Sequence, residues 1–209
     1  MKVTGVPFSK PDEYGDFKWM AKRTEFKHVL FLFNENFVDS QNPEAPSGAG
    51  SAVIRPLTHR VQEWPRAAGV YTGWSVASGG YDELNKFVRL AIDNSIERTK
   101  RILHDNLTLT EVMFSCDASS PNVIGSRIFR IDDEVVQYIS DKLQELQDYD
   151  RETVPKAHNV IDANEGVLMI HAKLHQRVAH LENELRTANA RKRPAEFGTL
   201  RQASISRFF

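Results

Sequence analysis

The hydrophobic pattern changes period several times along the chain, and each change marks an element. The first strong signal is Lys27-His-Val-Leu-Phe-Leu-Phe-Asn34, a continuous apolar run of strand length. Apolar residues at successive positions bury both faces of a strand, which suits a central strand covered by helices on both sides. Residues 1–25 show no period and contain Pro7 and Pro11, which predicts an irregular N-terminal arm. Residues 35–50 are rich in Asn, Ser, Pro and Gly and read as a long loop; loops of that length in a compact domain tend to be functional. Residues 51–55 suit a short helical turn closed by Pro56, and residues 69–74 suit a second strand. Residues 81–106 carry Leu84, Val88, Ala91, Ile92, Ile96, Ile102 and Leu103 at the roughly 3.6-residue spacing of a half-buried helix. Residues 108–116 are β-branched-rich and predict a strand with Val112, Phe114 and Cys116 on one face. A loop over 117–126 follows, and then Asp132 caps a helix running to about Gln147, with Val136, Ile139, Leu143 and Leu146 facing inward. Strands alternating with helices define an α/β layered domain over residues 26–149.

The pattern then changes character. Residues 150–161 read as a linker, and Asp162, three residues before Glu165, as a capping-box variant opening a long helix over 162–190. Val167, Leu174, Val178, Leu181 and Leu185 fall on alternating four- and three-residue steps, with His171 in the missing position, giving a seam of about three heptads. Arg177 and Glu182 stand where they can pair across a parallel homodimer. The spacing equally allows a helix packed back on its own domain. Residues 191–209 form a basic, polar tail whose composition predicts disorder.

Composition narrows the function classes. The chain has 209 residues, 41% hydrophobic and 26% charged, an ordinary globular composition. Its longest apolar run, residues 29–33, is too short to span a bilayer, and the N-terminal residues lack the pattern of a secretory signal. The expectation is therefore an intracellular protein with no membrane association, nuclear in a eukaryotic host. A single cysteine, Cys116, excludes an internal disulfide framework and a multi-cysteine zinc site. From Arg186 onward six basic residues face one acid, Glu196, a local charge of +5 that leaves −6 on the rest of a chain whose net charge is −1. A basic tail on an acidic body points to a negatively charged partner, with direct DNA contact confined to the tail.

The last eight residues, Gln202-Ala-Ser-Ile-Ser-Arg-Phe-Phe209, sharpen that expectation. One turn of 3-10 helix places Ile205 and Phe208 on the same side with Phe209 beside them, an apolar plug of the kind that fills a partner's pocket, while Gln202 reaches the pocket edge. The segment resembles the PIP box, the peptide that binds the sliding clamp PCNA, at Gln202, Ile205, Phe208 and Phe209. The resemblance implies a PCNA-like DNA sliding clamp as partner, and DNA replication or repair as the process.

The body carries candidate ligand-binding residues. Asn34 and Asn36 end the first strand, where ligands of open α/β sheets bind. Gly48 and Gly50 would let backbone amides approach a phosphate, Ser51 opens a helical turn whose N-terminus favours an anion, and Arg55 can add a charge-assisted bond. Asp117 and Ser119 follow the next strand on the same edge. These eight positions suggest a nucleotide or ADP-ribose-type ligand; no cofactor is otherwise indicated. Asp117 as a general base and Thr72 as a polar contact are the catalytic candidates, and no metal site is expected, because His171, His175 and His180 read as seam or solvated residues. Phe33-Asn-Glu-Asn36, Gly48-Ala-Gly-Ser-Ala-Val-Ile-Arg55 and Ala68-Gly-Val-Tyr-Thr-Gly73 together resemble a family of uncharacterised, often phage-encoded α/β proteins. That family runs Phe-Gly-Asp-Asn, Gly-Gly-Gln-Ala-x-Ile-Arg, then Gly-Ile-Pro-Thr-Lys. Here Asn34-Glu35 replace Gly-Asp, Ala49 replaces a Gly, Ser51 the Gln and Gly73 the Lys. The resemblance implies a Rossmann-like or macrodomain-like fold and a viral or phage-like origin. Two functions stay open: a clamp-binding adaptor, and an enzyme acting on a nucleotide or ADP-ribose-type ligand.

Overall fold

A computed structural model describes residues 1–42, 50–58, 65–75, 78–125 and 129–192. The chain divides into a unit of Met1–Lys173 and a unit of Leu174–Phe209. Gly48 and Ala49 of the loop motif, and the whole of the PIP-box segment, lie outside the described residues.

The first unit is an α/β layered domain, as the alternation of elements predicts. Its central strand is β2 (Val29–Asn36), in which Val29, Leu30, Phe31, Leu32 and Phe33 are all completely buried. Strand alternation sends Leu30 and Leu32 into one core and Val29, Phe31 and Phe33 into another. The first core is closed by α2 (Phe37–Ser40), through Phe37, and by α3 (Lys86–Asp105) and α4 (Asp133–Gln147). The second is closed by α1 (Phe17–Met20), through Phe17 and Met20, and by a 3-10 helix, Gly50–Thr58, through Ala52 and Ile54. Burial on both faces is what the unbroken apolar run requires.

Around β2 stand β1 (Lys2–Pro7), β3 (Ala67–Ser75), β4 (Gly79–Gly80), β5 (Glu111–Asp117) and β6 (Ser120–Ile124). The order across the sheet is β1-β5-β2-β3-β4, with β6 paired to β5. β1, β5, β2 and β3 are mutually parallel where they pair, whereas β4 and β6 are antiparallel additions. The N-terminal arm is therefore not irregular throughout: residues 2–7 form a parallel edge strand in register with Glu111 to Cys116. Val3, Thr4 and Val6 are its local signal, but its burial is partial and its partner lies more than a hundred residues away.

Helix caps follow the side chains available. Asn85 accepts from the backbone amides of Phe87 and Val88 at 3.0 and 3.1 Å, so α3 starts at Lys86 rather than at residue 81. Asp132 accepts from the amide of Glu134 at 2.9 Å, capping α4 as its sequence predicts. The long helix α5 (His158–Lys192) starts four residues before Asp162 and shortens the predicted linker. Glu165 is accordingly not a capping residue. It is buried within α5, where its carboxylate accepts from the Tyr71 hydroxyl and the Asn94 amide, each at 3.3 Å, and pairs with Arg98. Ile161, Leu168 and Ala172 are buried beside it, so this stretch of α5 packs on the domain, while Val160, Val167 and Ile170 on its other side are exposed. Replacing Glu165 with alanine deprives Tyr71, Asn94 and the partly exposed Arg98 of that acceptor. A loss of about 1–3 kcal/mol is expected in urea denaturation.

Candidate functional site

The cleft forms where two neighbouring parallel strands part. β2 and β5 pair in register only as far as Leu32 and Phe114. Beyond that point β2 stays with β3, while β5 takes β6 as its neighbour, with Cys116 opposite Ile124. The chain reaches β3 through the 3-10 helix on one face, whereas β5 continues through β6 to α4 on the other. Divergence of this kind at the carboxyl ends of parallel strands opens the crevice in which α/β proteins hold ligands. Here it measures about 780 Å³.

The residues around it arrive from several elements. β2 contributes Asn34, Glu35 and Asn36; β3 contributes Thr72; β5 contributes Ser115 and Cys116; the 3-10 helix contributes Gly50, Ser51, Val53 and Arg55. The side-chain amide of Asn34 spans the opening between the parted strands and donates to the Gly125 carbonyl. Its Oδ1 is buried and has no hydrogen-bond partner among the described residues. Phe8, Phe17 and Phe129 supply apolar walls, and Asp16 and Lys18 come from the start of α1.

The floor of the cleft is an ion pair. Alternation along β2 turns Glu35 toward the face carrying the 3-10 helix, where Arg55 meets it with two hydrogen bonds of 2.6 Å. Both side chains are almost fully buried. The Asn36 amide also donates to the Glu35 carboxylate at 2.8 Å, and Asp39 lies 3.6 Å from the same guanidinium. Burial raises the Glu35 pKa from its ordinary value against the opposing pull of Arg55, whose own pKa is raised chiefly by the hydrogen bonds to Glu35. The same two side chains line a smaller cavity of about 220 Å³, together with Tyr71, Arg98 and Arg101. The pair is thus a wall between two spaces.

Of the sequence candidates, Asn34, Asn36, Gly50, Ser51, Arg55 and Thr72 meet in the cleft. Arg55 differs from expectation in its role, because its guanidinium faces Glu35 and Asp39 and does not wait for a phosphate. Asp117 and Ser119 do not line the cleft: the Ser119 amide and hydroxyl donate to the Asp117 carboxylate at 3.2 and 3.1 Å, closing the turn between β5 and β6. Asp117 therefore lies in that turn and not among the described residues that line the cleft. The three phenylalanines and the Asp16–Lys18 segment are additions that no local pattern marks, and Glu35 stands in the Phe33–Asn36 motif without being among the candidate ligand residues. His171 lies against Trp74 and Phe87, with ring centroids 4.6 and 4.1 Å away. Among the described residues no group of three or more His, Cys, Asp and Glu is gathered to hold a metal, and no described helix is long and apolar enough to cross a membrane.

The chain matches no protein-family model, and no curated protein or solved structure is detectably similar to it.

Three outcomes test this geometry. Replacing Glu35 with glutamine removes the carboxylate that pairs with Arg55 and leaves Asp39, 3.6 Å away, beside the guanidinium, and a loss of about 1.5–3 kcal/mol is expected in urea denaturation. The joint replacement Glu35→Leu with Arg55→Met should cost far less than the two single losses added. Cys116 is buried, and burial followed by the charge of Asp117 raises its thiol pKa above the ordinary value. Its alkylation at pH 8 should be many times slower in the native protein than in the urea-unfolded chain, and should quicken as the pH rises.

Proposed function

We propose that the protein is a sliding-clamp-associated factor whose α/β body binds a nucleotide-type ligand through its nucleoside portion. The cleft between the parted strands carries the body's half of this reading. It has the volume of a small-molecule site, walls of phenylalanine, and a few convergent polar groups. The unpaired Asn34 Oδ1 and the hydroxyl of the largely buried Thr72 suit the donors and acceptors of a base or sugar edge.

Charge favours the nucleoside over a diphosphate. The described residues of the cleft include Asp16, Glu35 and Asp39 against Lys18 and Arg55. Since Arg55 is committed to Glu35, a deeply placed diphosphate would meet carboxylates with no further guanidinium among the described lining residues to offset them. Phosphate is better placed at the mouth, near the exposed Lys18. Binding is favoured over turnover: Cys116 is the cleft's thiol and its pKa is raised rather than lowered, and no histidine lines the cleft among the described residues. The tail's half rests on the filled motif positions Gln202, Ile205, Phe208 and Phe209. Tethering by such a peptide raises the local concentration of whatever the body carries.

The two halves are separable by experiment. Thermal melting with a panel of nucleosides and their mono- and diphosphates should show a rise in Tm for one nucleoside, no greater for its diphosphate, and lost in Thr72→Val. No rise across the panel would remove the ligand half. A labelled peptide of residues 195–209 should bind a PCNA-like clamp with micromolar Kd, and Phe208→Ala with Phe209→Ala should abolish binding. Absence of binding would remove the tether.

A further inference from the structure

The second unit offers an apolar face with no cover among the described residues. Leu174, Val178, Leu181 and Leu185 are between 47% and 63% exposed, although their four- and three-residue spacing puts them on one side of α5. A solvated helix has no use for four aliphatic side chains in register, and such stripes mark association surfaces. In heptad terms Leu174 and Leu181 take the d position, and Val178 and Leu185 the a position. Val178 at a between the d-position leucines Leu174 and Leu181 favours a two-stranded assembly.

The flanking charges say which partner fits. Arg177 falls at g and Glu182 at the following e, the two positions that meet across a parallel pair. Both are exposed, and neither forms an ion pair or hydrogen bond with another described residue. Glu184, the acid that an antiparallel pairing would set against Arg177, is already engaged by His180 at 3.3 Å. One helix therefore carries both halves of a charge pair it does not close internally, so the surface complementary to this face is the face itself. We infer that residues 174–185 of α5 form a parallel coiled-coil seam with a second copy of this chain.

His171 sets the upstream limit of that seam. It would take the a position one heptad before Val178, but its ring is held against Trp74 and Phe87. The pairing therefore begins at Leu174 and is short, which makes the dimer a concentration-dependent one.

Sedimentation of the full chain across the micromolar to sub-millimolar range tests this. The expected result is a rise from 23.8 kDa toward twice that mass. Leu181→Asp should hold the chain at the monomer mass with an unchanged melting curve for the body, since Leu181 is exposed. Arg177→Glu should weaken association several-fold, and adding Glu182→Arg should restore it. A monomer mass at every concentration overturns the proposal, and so does a dimer that survives Leu181→Asp.

Discussion

A carboxylate buried as deeply as Glu35 is tolerable only if a cation and several hydrogen bonds come with it. That requirement organises the domain around it. Arg55 must reach the end of β2 from the 3-10 helix, which fixes where that helix lies over the sheet. The neighbouring strand must also stand aside: a Cβ on Gly69 would come within 2.6 Å of the Glu35 Cβ, so β3 carries a glycine at the crossing. The guanidinium suits the task because its planar fork matches both carboxylate oxygens at once. Both cavities are lined by this one pair.

The local parts of this arrangement are legible in the sequence. An unbroken apolar run announces a strand buried on two faces, and the alternation of Val112, Phe114 and Cys116 announces the face they share. Asp132 and the period after it mark α4 closely. In the cleft, Asn34, Asn36, Gly50, Ser51, Arg55 and Thr72 are legible because residues after parallel strands and in glycine-bearing loops share one edge of the sheet. Glu35 is not, because a charged residue among asparagines reads as solvated loop; only the meeting with Arg55, twenty residues on, makes burial tolerable. Asp117 misleads for the opposite reason. It sits at the right end of the right strand, but its side chain is taken up by the tight turn into β6.

α5 shows two spacings overlaid on one helix. Ile161, Glu165, Leu168 and Ala172 form the stripe that meets the domain, and it is interrupted by a glutamate that a pattern search assigns to a cap. The heptad stripe is easier to see because it is wholly aliphatic from Leu174 onward, yet it is the exposed one. Periodicity identifies a face; which surface covers it depends on residues far away in the chain, such as the Tyr71 hydroxyl and the Asn94 amide.

The edge strand β1 has a consequence for the order in which the molecule is made. Its ladder partner among the described strands is β5 alone, so Lys2 must wait for Glu111 and Pro7 for Cys116. During synthesis from the N-terminus, the first strand emerges more than a hundred residues ahead of the strand it pairs with. Closing so long a loop is slow, because its entropy is lost before any contact compensates. The ladder between β2 and β3 can therefore form before that between β1 and β5. Until β5 arrives, the edge of β2 that it will cover, with fully apolar faces on either side, is open to mispairing and to recognition by chaperones.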